Sequence, residues 1–165
     1  MAGPNVFDSS FEPDEGEHGF IRRRSFVGRD AGAQRLGATL MELPPGATAS
    51  PYHWHHANEE MMIVLSGRPS LRTPDGRREL AEGEVVAFPL GEAGAHQVSN
   101  FTDDPVRYLF LSEMIGPELV VYPDSDKIGV REQAPGPGAA GRWELHRSGD
   151  AVDYWDGEFP PSREG

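Results

Sequence analysis

Cysteine is absent from this 165-residue chain, which removes disulfides, thiolate zinc sites and cysteine nucleophiles together. Long apolar runs are also missing. No window approaches the roughly 18 consecutive apolar residues of a membrane-spanning helix. Positive charge is scarce, with 15 Lys and Arg against 27 Asp and Glu and a net charge of -12. Such a surface repels phosphate backbones and anionic lipid, so no nucleic-acid and no membrane partner is expected. The opening MAGPNVFDSSFEPDEGEHG is acidic and lacks a cationic start followed by an apolar stretch. It therefore reads as no signal peptide, and a cytoplasmic location is the plain expectation. Neither a serine nucleophile motif nor a Gly-rich phosphate loop is evident.

Turn formers are plentiful, with 20 Gly and 15 Pro. Between them lie short apolar segments: RLGATLMEL ending at Pro44-Pro45-Gly46, EMMIVLSG, GEVVAFP, HQVSNFT, VRYLFLSEM, ELVVYPDS and KIGVREQ. SLRT and RREL flank Pro74-Asp75-Gly76, a hairpin signal because Gly supplies the positive φ such turns need. Many short strands at regular spacing predict an all-β sandwich or barrel. The continuous apolar character of EMMIVLSG predicts burial on both faces or a place in a sandwich core. Residues 1–34 read as an N-terminal arm, acidic first and then basic at Arg22, Arg23 and Arg24. Residues 35–133 form the β domain, and residues 134–165 a linker and C-terminal tail. Trp143 and Trp155 are expected to pack the tail back onto the body, since aromatics of that size usually bury.

The chemistry concentrates in HWHHANEE, residues 53–60. Strand alternation puts His53 and His55 on one face and Trp54 and His56 on the other. Two imidazoles at i, i+2 on an inward face make a pair of metal ligands, and a turn through Ala57-Asn58 brings back Glu59 or Glu60 as a carboxylate. A polar loop with solvated histidines is the bland alternative. Imidazole with carboxylate and no thiolate suits one divalent transition metal ion: Fe, Mn, Ni, Zn or Cu.

At these residues the sequence resembles the cupins, in particular the small single-domain, cupin 2-like proteins. Their first motif runs Gly, five residues, HxH, three or four residues, Glu, six residues, Gly. Here Gly46 precedes His53 and His55, four residues follow, then Glu60, MMIVLS and Gly67. That spacing selects Glu60 over Glu59 and leaves His56 out. The second motif runs Gly, five residues, Pro-x-Gly, two residues, His, three residues, Asn. Here Gly83 precedes EVVAF, Pro89-Leu90-Gly91, four residues, His96, QVS and Asn100. One extra residue before His53 and two before His96 depart from the pattern, both where loops are expected.

The resemblance implies a double-stranded β-helix, a jelly-roll cupin barrel carrying the arm and the tail. It implies His53, His55, Glu60 and His96 as metal ligands at the barrel mouth, with two coordination positions open. Three neutral imidazoles and one carboxylate leave a divalent ion net positive and able to polarise an incoming oxygen. Asn100 is expected to stabilise a turn, and His18 and His146 to stand outside the site. With Glu60 inward, alternation aims Met62 and Val64 the same way, as cavity lining or as core. The expected function is a metal-dependent enzyme acting on a small-molecule substrate, dioxygenase-like or another oxidoreductase, with Glu60 tuning the metal or serving as acid or base. The alternatives are a non-catalytic cupin binding a sugar or carboxylate metabolite, and a metal-dependent sugar isomerase or lyase. Single-cupin chains commonly pair, so a homodimer is expected.

Overall fold

The structure is a computed structural model that describes residues 3–14, 16–136 and 141–160. Of the expected linker and tail, 134–165, residues 137–140 and 161–165 lie outside the described residues. Short strands dominate, because apolar residues recur in runs too short for helices and are punctuated by Gly and Pro. Five strands make the first sheet: β1 (Arg23–Ser25), β2 (Leu36–Leu43), β4 (Glu60–Ser66), β7 (Val85–Phe88) and β9 (Val106–Glu113), in the order β1-β2-β9-β4-β7. A single-turn helix, α1 (Val27–Asp30), links β1 to β2.

Two smaller sheets face it. One holds β5 (Ser70–Thr73), β6 (Gly76–Glu79) and β8 (Gln97–Ser99) in the order β6-β5-β8. The other holds β3 (Trp54–His55), β10 (Glu118–Tyr122), β11 (Lys127–Arg131) and β12 (Trp143–Arg147) in the order β12-β11-β10-β3. Isolated bridges Thr48↔Ser99 and His53↔His96 connect the two. All ladders are antiparallel. The result is the jelly-roll barrel the sequence predicts.

The core lies between these layers. Leu43, Met62, Val64, Leu71, Leu80, Val98, Val106 and Tyr108 are buried there. In β4 the alternation is plain: Met62 and Val64 point inward, whereas Met61 between Glu60 and Met62 is 38% exposed. This is the sandwich-core arrangement, and not burial on both faces.

The arm spans two sheets. Phe20 bridges Thr48 in parallel, and the chain then enters the first sheet as β1, with Arg23 opposite Glu42. Glu42 receives Arg23 Nη1 at 2.9 Å and Arg107 Nε at 2.7 Å. The tail joins the body through β12, which pairs with β11 from Lys127↔Arg147 to Arg131↔Trp143. The expectation that Trp155 packs back is not met. Trp155 is 72% and Tyr154 81% exposed. Beyond β12 the described tail adds no further strand, and the two rings meet each other edge-on with centroids 4.7 Å apart.

Candidate metal centre

His53 and His96 form an antiparallel hydrogen-bonded pair. His53 N donates to His96 O at 3.2 Å, and His96 N donates to His53 O at 2.9 Å. This pairing carries one histidine from before β3 and one from before β8 to the same place, with ring centroids 4.7 Å apart. The two rings are anchored in the same way, through Nδ1, with their planes 51° apart. His53 Nδ1 lies 2.8 Å from Pro51 O, and His96 Nδ1 lies 2.9 Å from Gly94 O. A carbonyl oxygen only accepts, so each Nδ1 holds the proton and each Nε2 keeps its lone pair for the centre.

Glu60 enters from the first sheet, where it sits between Phe88 of β7 and Ser112 of β9. Its Oε2 lies 3.4 Å from His96 Nε2 and 3.3 Å from His55 Nε2. His53, Glu60 and His96 each offer a ligand atom within 4.8 Å of one another. His55 lies outside that triplet but touches it through Glu60. On its far side His55 Nδ1 faces Glu118 Oε2 at 3.5 Å.

Glu118 is 2% exposed. Its Oε1 accepts from the amides of His56 and Ala57, both at 3.1 Å, and its Oε2 accepts from Asn58 Nδ2. Asn58 in turn donates to Ile115 O at 3.0 Å and accepts from Ile115 N at 2.8 Å. The carboxylate is therefore fixed by the turn that follows β3, and it faces His55 from behind.

Burial dominates the electrostatics. It pushes His53 well below the ordinary imidazole range, helped by repulsion from His96 and His55. It brings His96 down to about 4, and it raises Glu60 to about 7. Burial also opposes a charge on His55, but Glu118 and Glu60 outweigh it and raise that pKa. Burial would raise Glu118 as well, yet its contacts with His55, Asn58 and the Ala57 amide hold it low. The lowered His53 and His96 stay neutral, as a divalent cation requires, and a bound cation would draw Glu60 and His55 to their deprotonated forms. His55 Nε2 and Glu60 Oε2 are buried without a hydrogen bond, as is His55 Nδ1 on the far side of its ring. Buried polar atoms are ordinarily satisfied, and a cation between Nε2 and Oε2 would satisfy both. The residues fit a metal ion.

The cluster forms one wall of a cavity of about 870 Å³. Val98, Tyr108 and Phe110 line it near the histidines, and Arg22, Arg24 and Arg29 line it from the arm and α1. Glu60 is the sole carboxylate among its described lining residues.

The two motifs thus bring His53, Glu60 and His96 together, with His55 adjoining. Glu59 is exposed, with its side chain outside the cluster, and His56 packs against Trp54 with ring centroids 4.5 Å apart. His18 and His146 are exposed beside Glu17 and Glu144. Asn100 stabilises a turn, donating to Leu43 O and Asp104 O and accepting from Thr102 N. Met62 and Val64 belong to the core and not to the cavity lining.

Sequence reading missed two features. Glu118 carries no local signal beyond being a charge that opens an apolar strand. Arg22 and Arg24 had one: at i, i+2 they share a strand face, and Arg23 takes the opposite one.

Comparison with known proteins follows the same residues. The Cupin_2 family, described as the cupin domain, matches residues 39–112. A protein of Acidithiobacillus ferrooxidans, provisionally assigned as a sugar phosphate isomerase, is 29% identical, with TM-score 0.73, 82% of this chain and 81% of that chain covered. A sugar phosphate isomerase of the cupin superfamily from Silicibacter pomeroyi is 24% identical, with TM-score 0.75 over 92% of this chain and 96% of that one, which speaks to the fold alone. The polyketide cyclase RemF of Streptomyces resistomycificus is 26% identical, with TM-score 0.54, 68% of this chain and 79% of that chain covered. No curated protein matches the sequence.

Proposed function

We propose, from the premise that this chain is a cupin-2-like protein, that it is a metal-dependent isomerase of a small, sugar-like hydroxycarbonyl compound. In this reading His53, His55, Glu60 and His96 hold one divalent transition metal ion. The observation that carries it is the convergence of His53, Glu60 and His96 in a closed wall of a cavity large enough for a metabolite. A bound ion would supply a Lewis acid able to polarise a substrate oxygen.

The chain's own residues supply the rest. Interconverting a hydroxyaldehyde and a hydroxyketone moves one proton between two adjacent carbons and a second from the hydroxyl oxygen to the former carbonyl oxygen. Glu60, whose Oε2 faces the histidines, would accept the carbon-borne proton on its other carboxylate oxygen and return it. The Nδ1 contacts of His53 and His96 hold both rings in one orientation throughout. Phe110 and Val98 give the cavity an apolar wall near the histidines. The 29% identity to the Acidithiobacillus protein supports isomerisation over oxygen chemistry. So does the cavity lining, since Met41 and Met114 sit in it and thioethers beside an oxidising metal are liable to sulfoxidation.

The test pairs metal content with proton exchange. Anaerobically purified wild type should carry about one equivalent of a transition metal, and His96→Ala should lose it. In D2O, a candidate aldose or ketose should acquire deuterium at the carbon next to its carbonyl only with the metal-loaded protein. A wild type that neither contains nor takes up a divalent ion sinks the reading. O2 consumption without deuterium incorporation would return the protein to the oxygenase class.

A further inference from the structure

A glycine inside a strand gives up side-chain packing and often marks a close approach. β2 contains one, Gly37. A Cβ there would stand 2.6 Å from Ser112 Oγ and 2.9 Å from Met114 Sδ. The missing side chain is thus what gives the Ser112 hydroxyl its place on the cavity face of the first sheet.

Register carries that hydroxyl to the metal cluster. Gly37, Ser112 and Glu60 lie directly opposite one another on β2, β9 and β4, so all three face the same way. Opposite residues hold their Cβ atoms roughly 4.5–5.5 Å apart, which makes Ser112 the neighbour of Glu60 across the sheet. One row further along, Thr39 of β2 lies opposite Phe110 of β9. Ser112, Thr39 and Phe110 all line the cavity with Glu60. Both hydroxyl residues are half-buried, where a polar group ordinarily finds a partner. Among the described residues, however, Ser112 Oγ meets only the weakly accepting sulfur of Met114, at 4.0 Å. Thr39 Oγ1 has no hydrogen bond to any of them. Two hydroxyls beside the reacting carboxylate thus keep their hydrogen-bonding capacity for whatever fills the cavity.

We propose that Ser112 and Thr39 bind hydroxyl groups of the substrate, as a row that starts beside Glu60 and continues along the cavity face of the first sheet. A hydroxyl both donates and accepts, so it suits another hydroxyl, which does the same. As diagonal neighbours the two positions lie roughly 7–8 Å apart, and one molecule reaches both only if it carries several hydroxyl-bearing carbons. The ligand class is therefore a polyhydroxylated chain and not a two-carbon hydroxyaldehyde. The inference rests on the isomerase reading for what happens at Glu60, but the hydroxyl row itself needs no metal. Ser112 and Thr39 hold the chain so that its carbonyl end meets Glu60, and take no part in proton transfer.

The experiment compares xylitol with 1,5-pentanediol, probes of equal carbon number that differ only in the inner hydroxyls. Each is titrated into the full-length protein by NMR, with and without prior metal removal. Wild type should bind xylitol more tightly, and stripping the metal should leave that preference in place. Ser112→Ala and Thr39→Val should each weaken xylitol binding roughly three- to tenfold, the loss of a neutral hydrogen bond, and change pentanediol binding less. Thr39→Ser keeps a hydroxyl and should keep the preference. Gly37→Ala leaves Ser112 in the sequence but takes the space of its Oγ, and should lower the preference as Ser112→Ala does. Unchanged melting temperatures report that the variants still fold.

A wild type that binds both probes alike would overturn the row. A xylitol preference that disappears with the metal and ignores both hydroxyl substitutions would overturn it too, while leaving the metal reading intact. Loss in only one of the two variants would overturn the role of the other residue. A preference carried by Ser112 and Thr39 in a protein that never takes up a divalent ion would sink the isomerase reading and keep the row.

Discussion

Glu118 does not line the cavity, yet it stands directly behind His55. Its Oε1 is held by the His56 and Ala57 amides and its Oε2 by Asn58, and it presents that oxygen to His55 Nδ1 at 3.5 Å. Replacing it with Gln keeps the shape but puts an amide NH2 where either a ring N–H or another amide must be met. We predict that Glu118→Gln lowers metal affinity by about 10- to 100-fold, the usual effect of losing an outer partner of a ligating histidine. Equilibrium metal titration against a competing chelator measures this directly. An unchanged affinity would mean that His55 is not a ligand. The four proposed ligands were legible in the sequence because HxH, Glu and a later His sit at fixed distances from turn glycines, and turn and strand lengths convert spacing into position. Glu118 was not legible. Its role exists only through the pairing of β10 with β3, a contact between residues about sixty positions apart.

Among the elements, the strands were readable wherever apolar runs ended in Gly, Pro or Asp, as β2, β5 and β6 show. β3 has only two residues and rests on its pairing with β10, so no local pattern could mark it. The tail erred the other way: aromatic content suggested burial, but burial needs a surface to cover, and the described tail finds none after β12. The turn after β4 depends on backbone freedom. Gly67 has φ +78°, and a Cβ there would stand 2.8 Å from Val106 Cγ1, a core residue with 0% exposure. Both the left-handed conformation and the crowding penalise a side chain. Gly67→Ala should therefore cost roughly 1–3 kcal/mol of stability, read as a lower urea midpoint with an unchanged slope. A midpoint equal to wild type would show that the turn relaxes freely.

For the whole molecule, net charge says little about the interior. The net charge of -12 describes an acidic chain, but composition averages over inside and outside. Arg22, Arg24 and Arg29 line the cavity, and only the fold brings them there. The same fold makes an arm into a cavity wall. Residues 20–25 cross from Thr48 on one layer to β2 on the other, and β1 is the outermost strand of its sheet, paired with β2 at three positions.

An edge strand with so few backbone bonds opens more readily than the eight-position ladder between β2 and β9. The wall that carries Arg22 and Arg24 should then be the part of the barrel whose amides exchange with solvent soonest. A ligand that fills the cavity against that wall would tie the strand down from within. Hydrogen exchange at residues 23–25 should accordingly slow when a bound aldose or ketose occupies the cavity, while exchange in β9 stays the same. Occupancy of the cavity would thus be recorded in the backbone of its least anchored strand.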